Sequence, residues 1–154
     1  MGGAVMDKRC VMFAALICLF FAAMPAIAEI HWYKLDEGMK MAANEHKPVI
    51  IDFFYGKGCP RCESLQKQVY DNPALAKKIA DDFVPVRVDL TKKLTAEETA
   101  LGNQYDFKND CLLLFLDHNG KIIKGPAGKK LCFVDSIEPE QFMQYLDMVR
   151  EGYK

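Results

Sequence analysis

Two cysteines three residues apart, Cys59 and Cys62, are the side chains of this 154-residue chain best suited to chemistry. Thiols at this spacing lie on the same side of a helical turn, close enough to form a disulfide. A cysteine at the start of a helix faces unpaired backbone N–H groups and the positive end of the helix dipole, which stabilise its thiolate. The pair is therefore a candidate redox-active dithiol, with Cys59 as the nucleophile and Cys62 as the thiol that resolves a mixed disulfide.

The residues around the pair predict a strand, a glycine turn and a helix. The run from Val49 to Tyr55 is apolar, β-branched and aromatic, which is typical of a buried strand. The segment Gly56 to Gly58 permits a sharp turn, and Pro60 suits the first turn of the helix that follows. Arg61 is a fixed cation beside Cys59, and we expect it to stabilise the thiolate.

Residues 49–64 resemble the active-site segment of the thioredoxin superfamily, through Asp52, Phe53 and the Cys-Pro-Arg-Cys of residues 59–62. The resemblance is nearer to periplasmic members, such as the C-terminal domain of the thiol:disulfide interchange protein DsbD, than to thioredoxin itself. It extends through residues 83–89, 112–117 and 120–121 and the closing helix from Pro139, and covers most of residues 33–150. It implies an α/β thioredoxin-like fold, with a central mixed β-sheet flanked by helices.

The resemblance implies a thiol–disulfide oxidoreductase that reduces or exchanges disulfides in protein substrates. Its electrons would come from another protein, such as a membrane thiol reductase, because the chain has no nucleotide-binding glycine pattern and no cofactor motif. One alternative is a thioredoxin-fold protein that binds a metal through Cys59, Cys62 and Cys111 without redox turnover. Another is an interaction module in which the Cys59–Cys62 bond is only structural. We expect a monomer.

Asp52 stands in the predicted strand, seven residues before Cys59. In the thioredoxin superfamily a buried acid on this strand assists proton transfer at the second cysteine, and the resemblance gives Asp52 that role. If the side chain faces the core, burial should raise its pKa and suit it as a base for Cys62. The extra residue in the glycine turn leaves an alternative open, in which Asp52 is a strand-edge carboxylate bonded to backbone.

The family places a cis-proline opposite the dithiol, just before the strand matched here by residues 112–116. Asp110 or Cys111 occupies that position, so the expected substrate-binding loop lacks the proline. A cis bond without proline costs about 2.5–4 kcal/mol, which argues against one here. Cys111 is interpreted as an inert thiol, as the partner of Cys132 in a second disulfide, or as a third metal ligand. Sequence does not fix the connectivity.

Residues 1–28 are interpreted as a signal peptide. A short charged start precedes an apolar run from Val11 to Ala23, and Ala26-Ile27-Ala28 is a cleavage motif. We expect cleavage after Ala28 and a periplasmic thioredoxin-like domain over residues 29–154. The alternative is an uncleaved N-terminal membrane anchor, with the domain facing the periplasm.

Composition and local signals complete the sequence prediction. The net charge of −1 gives no support to nucleic-acid binding. Trp32 is interpreted as a packing residue. The other predicted elements are a helix within Ile30–Glu45, a helix from Pro73 to Ala80 capped by Asn72, a strand over Phe83–Leu90, a helix from the Thr95/Glu98 capping box to about Tyr105, a hairpin turn at Asp117–Gly120, and a helix over Pro139–Val149.

Overall fold

A computed structural model describes residues 29–105, 113–125, 128 and 138–153. Its strands are β1 (Val49–Phe54), β2 (Val84–Asp89) and β3 (Leu113–Leu116). Its helices are α1 (Leu35–Glu45), α2 (Pro60–Leu65), α3 (Pro73–Asp82), α4 (Ala96–Tyr105) and α5 (Pro139–Gly152), with a π-helical turn over Gln66–Tyr70 directly after α2. The predicted signal peptide, Asp110, Cys111 and Cys132 lie outside the described residues.

Strand β1 lies at the centre of the sheet, whose order is β2-β1-β3. It pairs in parallel with β2, in a register that places Asp52 beside Arg87, and antiparallel with β3. Single bridges extend the sheet at its edges, from Tyr33 to β2 and from Ile122 to β3. The mixed sheet flanked by helices confirms the predicted fold class.

The side chains of β1 alternate between the two faces of the sheet, and the apolar interior is accordingly divided into two clusters. Ile51 and Phe53 pack with residues of α1 on one face of the sheet. Ile50 packs on the other face with residues of α2, α3 and α5. Asp52 follows Ile50 at a spacing of two, so its side chain lies on the face that carries the helix with the cysteines.

Two predicted helix starts are confirmed by their hydrogen bonds. The Asn72 side chain accepts from the backbone N–H groups of Ala74 and Leu75, at 3.0 and 3.2 Å, and begins α3. Thr95 and Glu98 form the reciprocal capping box, with distances of 2.8 and 3.1 Å. Both caps could be predicted from the sequence because the residues that form a helix cap are only a few positions apart.

Two local differences from the sequence prediction concern backbone pairing. The first helix begins at Leu35 rather than near Ile30, because Tyr33 pairs with β2: its N–H donates to Pro85 at 2.9 Å, and its carbonyl accepts from Arg87 at 3.0 Å. The active-site helix changes to π geometry at Gln66, where the N–H of Asp71 donates to the Gln66 carbonyl at 2.8 Å. The π turn buries Tyr70 against the sheet.

No helix within residues 29–105, 113–125 and 138–153 is long and apolar enough to cross a membrane.

Candidate redox site

Cys59 and Cys62 form a disulfide at the start of α2. Their Cα atoms lie 5.3 Å apart, within the usual range for this bond. Cys59 is the N-cap residue of α2, and its sulfur accepts a hydrogen bond from the Cys62 N–H at 3.2 Å. Both cysteines are half-buried, and Cys62 packs against the apolar cluster that includes Leu65. The helix start thus holds Cys59 where a backbone N–H donor can stabilise its thiolate.

The glycine turn that carries the chain from β1 to Cys59 needs its glycines. Gly56 and Gly58 have φ angles of 96° and 85°, which other residues rarely adopt. Gly56 is also buried, and a Cβ there would lie 2.6 Å from a side-chain carbon of Thr91. The Glu63 carboxylate accepts a hydrogen bond from the Gly58 N–H at 3.1 Å and ties the turn to α2.

Pro60 and Arg61 occupy the first two positions of α2, and Pro60 lies in the first helical turn as predicted. Pro60 is exposed, and its missing N–H is one that the helix start would leave unpaired. Arg61 is half-buried in the same turn. Stabilisation of the Cys59 thiolate by the Arg61 charge stays a prediction.

Asp52 is buried, with 4% of its surface exposed, and its carboxylate accepts a hydrogen bond from Nε of Arg87 at 2.6 Å. Burial raises the pKa of Asp52 above its ordinary value, and the Arg87 charge offsets part of this rise. The side chain is therefore a core carboxylate paired with an arginine, rather than a strand-edge group bonded to backbone.

Arg87 was missed by the sequence prediction. Its guanidinium carbon lies 4.2 Å from the ring centre of Trp32, 5.3 Å from that of Phe54 and 5.7 Å from that of Tyr70. This cation–π packing fixes the arginine between three aromatic rings. The available signal was a positive charge between the apolar residues Val86 and Val88 of β2, at the position paired with Asp52.

Tyr70 is the second functional candidate that the sequence did not reveal. Its hydroxyl is fully buried and influences the Asp52 carboxylate, but it makes no hydrogen bond of normal geometry to the described residues. Burial and the Asp52 charge raise the pKa of Tyr70 well above 10, so the hydroxyl keeps its proton. Tyr70, Asp52, Arg87 and Cys62 border one cavity of about 400 Å³.

This arrangement is suited to thiol–disulfide exchange, because the disulfide lies at a helix start and Cys62 borders the same cavity as a buried carboxylate. The metal-binding alternative would need both sulfurs as thiolates together with Cys111, which the described residues do not include. Within the described part of the chain, no three histidine, cysteine, aspartate or glutamate side chains are grouped to hold a metal ion.

Comparison with solved structures places the fold beside those of known redox proteins. The structure of the DsbH oxidoreductase matches with a TM-score of 0.61 and 18% identity, over 98% of this chain and 95% of that one. A thioredoxin from Thermus thermophilus matches at 0.56 and 20%, over 79% and 87% of the two chains. The oxidised C-terminal domain of Neisseria meningitidis DsbD matches at 0.52 and 19%, over 76% and 97%. These likenesses establish the fold.

A search of curated protein sequences finds no match. The sequence profile of the thioredoxin-like family, in contrast, matches residues 31–116, which include β1, the cysteine pair, β2 and β3. The chain therefore belongs to the thioredoxin-like family.

Proposed function

We propose that this protein is an exported thiol–disulfide oxidoreductase that reduces or exchanges disulfides in other proteins. The observation that carries the proposal is the Cys59–Cys62 disulfide at the start of α2, with the buried Asp52 carboxylate bordering the same cavity as Cys62. A disulfide that only stabilises the fold would not need a buried carboxylate on the same cavity.

The reaction exchanges one disulfide for another. The Cys59 thiolate attacks a substrate disulfide, which forms a mixed disulfide and releases one substrate sulfur as a thiolate. Cys62 then loses its proton and attacks the Cys59 sulfur, which releases the second substrate sulfur. The substrate gains two electrons and two protons and becomes a dithiol, while the enzyme becomes the Cys59–Cys62 disulfide. The reverse sequence oxidises a substrate dithiol.

Asp52 serves this cycle as the base for Cys62. Its raised pKa favours proton exchange near neutral pH more than an ordinary carboxylate would, since a catalytic group works best with a pKa close to the operating pH. Arg87 positions the carboxylate through its Nε contact. Pro60 and Arg61 tune the reactivity of Cys59 from the first turn of α2.

The loop before β3 contributes substrate binding in this proposal. Asp110 or Cys111 stands where relatives carry the cis-proline, and Cys111 has Cys132 as a possible partner in a second disulfide. Protein thiols and disulfides are the substrates, and a membrane thiol reductase is the electron donor that reduces the Cys59–Cys62 disulfide again. Residues 1–28 direct export to the periplasm, with cleavage after Ala28 or retention as an N-terminal anchor.

The decisive measurement is the reduction potential of Cys59–Cys62 in glutathione redox buffers. We expect a single two-electron transition. A value near that of thioredoxin, about −270 mV, would assign the protein to reduction or electron transfer, and a value near that of DsbA, about −120 mV, to oxidation or isomerisation. Absence of such a transition, with thiols that react only after a chelator is added, would replace this proposal with metal binding through Cys59, Cys62 and Cys111.

A further inference from the structure

A groove runs from the dithiol along the π-helical turn to the first described residues of the chain. It consists of two cavities of about 400 and 450 Å³, which share Gln66, Tyr70, Asp71 and Arg87 as walls. Cys62 borders one end and Trp32 borders the other. Each cavity has a volume typical of small-molecule sites, and the groove leads away from Cys59, the sulfur that engages protein substrates in the proposed reaction.

The groove contains hydrogen-bond donors that the protein does not use. Arg87 borders both cavities and donates to Asp52 through Nε, but its Nη nitrogens donate to no acceptor within residues 29–105, 113–125 and 138–153. Tyr70 lines both cavities as well, but its hydroxyl is buried and influences the Asp52 carboxylate, so it is not open to a ligand in the groove. The Arg87 side chain is 27% exposed, and its Nη nitrogens are not among the buried polar atoms that lack a partner, so they can donate to a ligand in the groove.

The planar shape of the Arg87 guanidinium determines which kind of ligand acceptor it can bind. Stacking on Trp32 at 4.2 Å and the contact with Asp52 hold the guanidinium in one orientation. A guanidinium held in this way presents its two Nη nitrogens as a rigid fork, which matches the two oxygens of a carboxylate. The aromatic rings beside it offer an apolar wall for the rest of a ligand.

The charges around the groove make the two Nη nitrogens of Arg87 the main determinant of which ligand binds. The Asp52 carboxylate is already paired with Nε of Arg87, and Asp71 accepts from the Gln66 amide at 2.8 Å. Glu63 and Glu29 border opposite cavities, and Lys57 and Lys67 border the cavity beside Cys62. Because acids and bases nearly balance, long-range attraction favours neither sign of ligand, and the bidentate contact decides.

We propose that this groove binds a small molecule in which a carboxylate stands next to an apolar or aromatic group. The carboxylate accepts hydrogen bonds from the Nη nitrogens of Arg87, and the apolar group packs along Trp32. An N-acylated aromatic amino acid has this chemistry and suits the volume of one cavity.

Trp32 is the only tryptophan in the sequence, so its fluorescence reports binding directly. The test titrates the oxidised protein with N-acetyl-L-phenylalanine and, separately, with N-acetyl-L-phenylalaninamide, which keeps the apolar group and lacks the carboxylate. We expect a saturable change with the acid, and affinity at least about tenfold lower with the amide, since a charged hydrogen bond contributes about 1.5–3 kcal/mol. Equal affinity for the two probes, or a signal that never saturates with the acid, would overturn the proposal.

Variants locate the contact. Arg87→Lys keeps the charge and removes the fork. We expect it to weaken binding of the acid and to leave binding of the amide unchanged. Arg150→Lys is the matched control, because Arg150 lies on α5 and contacts Asp82 away from the groove. If the control weakens binding as much as Arg87→Lys does, the fork is not the site.

The wild-type comparison of acid with amide holds even where a variant folds poorly. The titration involves no redox turnover, so it is independent of the proposed reaction. A failed titration leaves the two-electron transition of the dithiol untouched, and a missing transition leaves the groove untouched.

Discussion

At the scale of single residues, Asp52 is subject to two opposing effects. Burial disfavours its charged form, and the Arg87 guanidinium favours it. Burial is the larger effect, so the carboxylate ionises above its ordinary value of 3.8. Because its pKa is raised toward neutral, the group is better suited than an ordinary carboxylate to accept and return a proton, which the two directions of thiol–disulfide exchange require.

The first prediction concerns Asp52→Asn. In the proposed reaction Cys62 loses a proton to resolve the mixed disulfide, and Asp52 can accept that proton only when it is ionised. The rate of resolution should therefore rise with pH through the raised pKa of Asp52, with a midpoint above 3.8. In the variant this rise should be absent and the rate lower by about 10²-fold, the smaller end of a general-base contribution. Stopped-flow release of a thiol substrate measures it.

The control for this experiment is Asp36→Asn, an exposed carboxylate on α1 that lies on the opposite face of the sheet. It should leave the pH profile unchanged. A profile for Asp52→Asn that matches the wild type would remove Asp52 from the reaction, whatever its effect on stability.

The same raised pKa predicts how stability depends on pH. The folded protein binds the Asp52 proton more tightly than the unfolded chain does, so stability falls as pH rises from below 3.8 through the pKa in the fold. Relative to Asp52→Asn, the wild type should be most stable in acid and lose that advantage across this window. Urea unfolding at several pH values measures the difference, and a difference that grows with pH would contradict the burial argument.

The two cysteines should differ in a trapping experiment. Cys62→Ser leaves Cys59 able to attack but removes the resolving thiol, so a mixed disulfide with a substrate should accumulate and survive denaturing electrophoresis. Cys59→Ser should accumulate far less, because Cys62 packs against the apolar cluster below α2. Equal trapping by the two variants would show that the roles are not divided as proposed.

At this scale the sequence supports only part of the site. Cys59 and Cys62 were predictable because both sulfurs and the helix start that positions them lie within four residues of chain. Arg87 and Tyr70 were not. The Asp52–Arg87 contact joins positions 35 residues apart. It depends on the register between β1 and β2, which no local sequence pattern predicts.

At the scale of elements, the π-helical turn and the glycine turn shape the site from its two sides. The π turn carries Tyr70 into the interior, where it borders the cavity beside Cys62. The glycine turn brings the chain from β1 into α2 within five residues. A helical pattern of apolar residues predicts a helix, but it does not distinguish a helix that widens at Gln66 from one that continues regularly. That feature therefore appeared only in the structure.

Gly56→Ala and Gly58→Ala form a matched pair of variants. Both place a side chain at positive φ, which lowers stability by about 1–2 kcal/mol. Gly56 also lies against Thr91, whereas nothing lies within 4 Å of the position of a new Cβ at Gly58. We expect Gly56→Ala to cost about 1–3 kcal/mol more, the usual range for overpacking. Denaturant unfolding measures both, and equal losses would contradict the close contact at Gly56.

At the scale of the whole molecule, the central strand depends on partners that arrive later in the chain. Strand β1 pairs with β2 on one side and with β3 on the other. The predicted order of strands and helices gave the fold class correctly, because the apolar runs of β1, β2 and β3 are long enough to identify. The edge bridges of Tyr33 and Ile122 each involve a single residue. Only the bridge of Ile122 was indicated by the sequence, through the hairpin turn at Asp117–Gly120.

The short spacing of the disulfide has a thermodynamic consequence. A bond between residues three apart restricts the unfolded chain far less than one that closes a long loop, so its entropic contribution to stability is small. The difference in unfolding free energy between the oxidised and reduced protein then mainly reflects how strongly the folded structure itself favours a disulfide or a dithiol. By a thermodynamic cycle this difference equals the gap between the potentials of the folded and unfolded dithiol, about 1.4 kcal/mol for each 30 mV.

Two unfolding curves should therefore give the direction of electron flow without any substrate. With Cys10, Cys18, Cys111 and Cys132 replaced by serine, so that only one bond changes, an oxidised form that unfolds more easily than the reduced form identifies an oxidant. An oxidised form that is equally or more stable identifies a reductant. We expect the difference to agree with the potential measured in glutathione buffers, and a mismatch would mean that the redox state of Cys59 and Cys62 alters the unfolded chain as well as the fold.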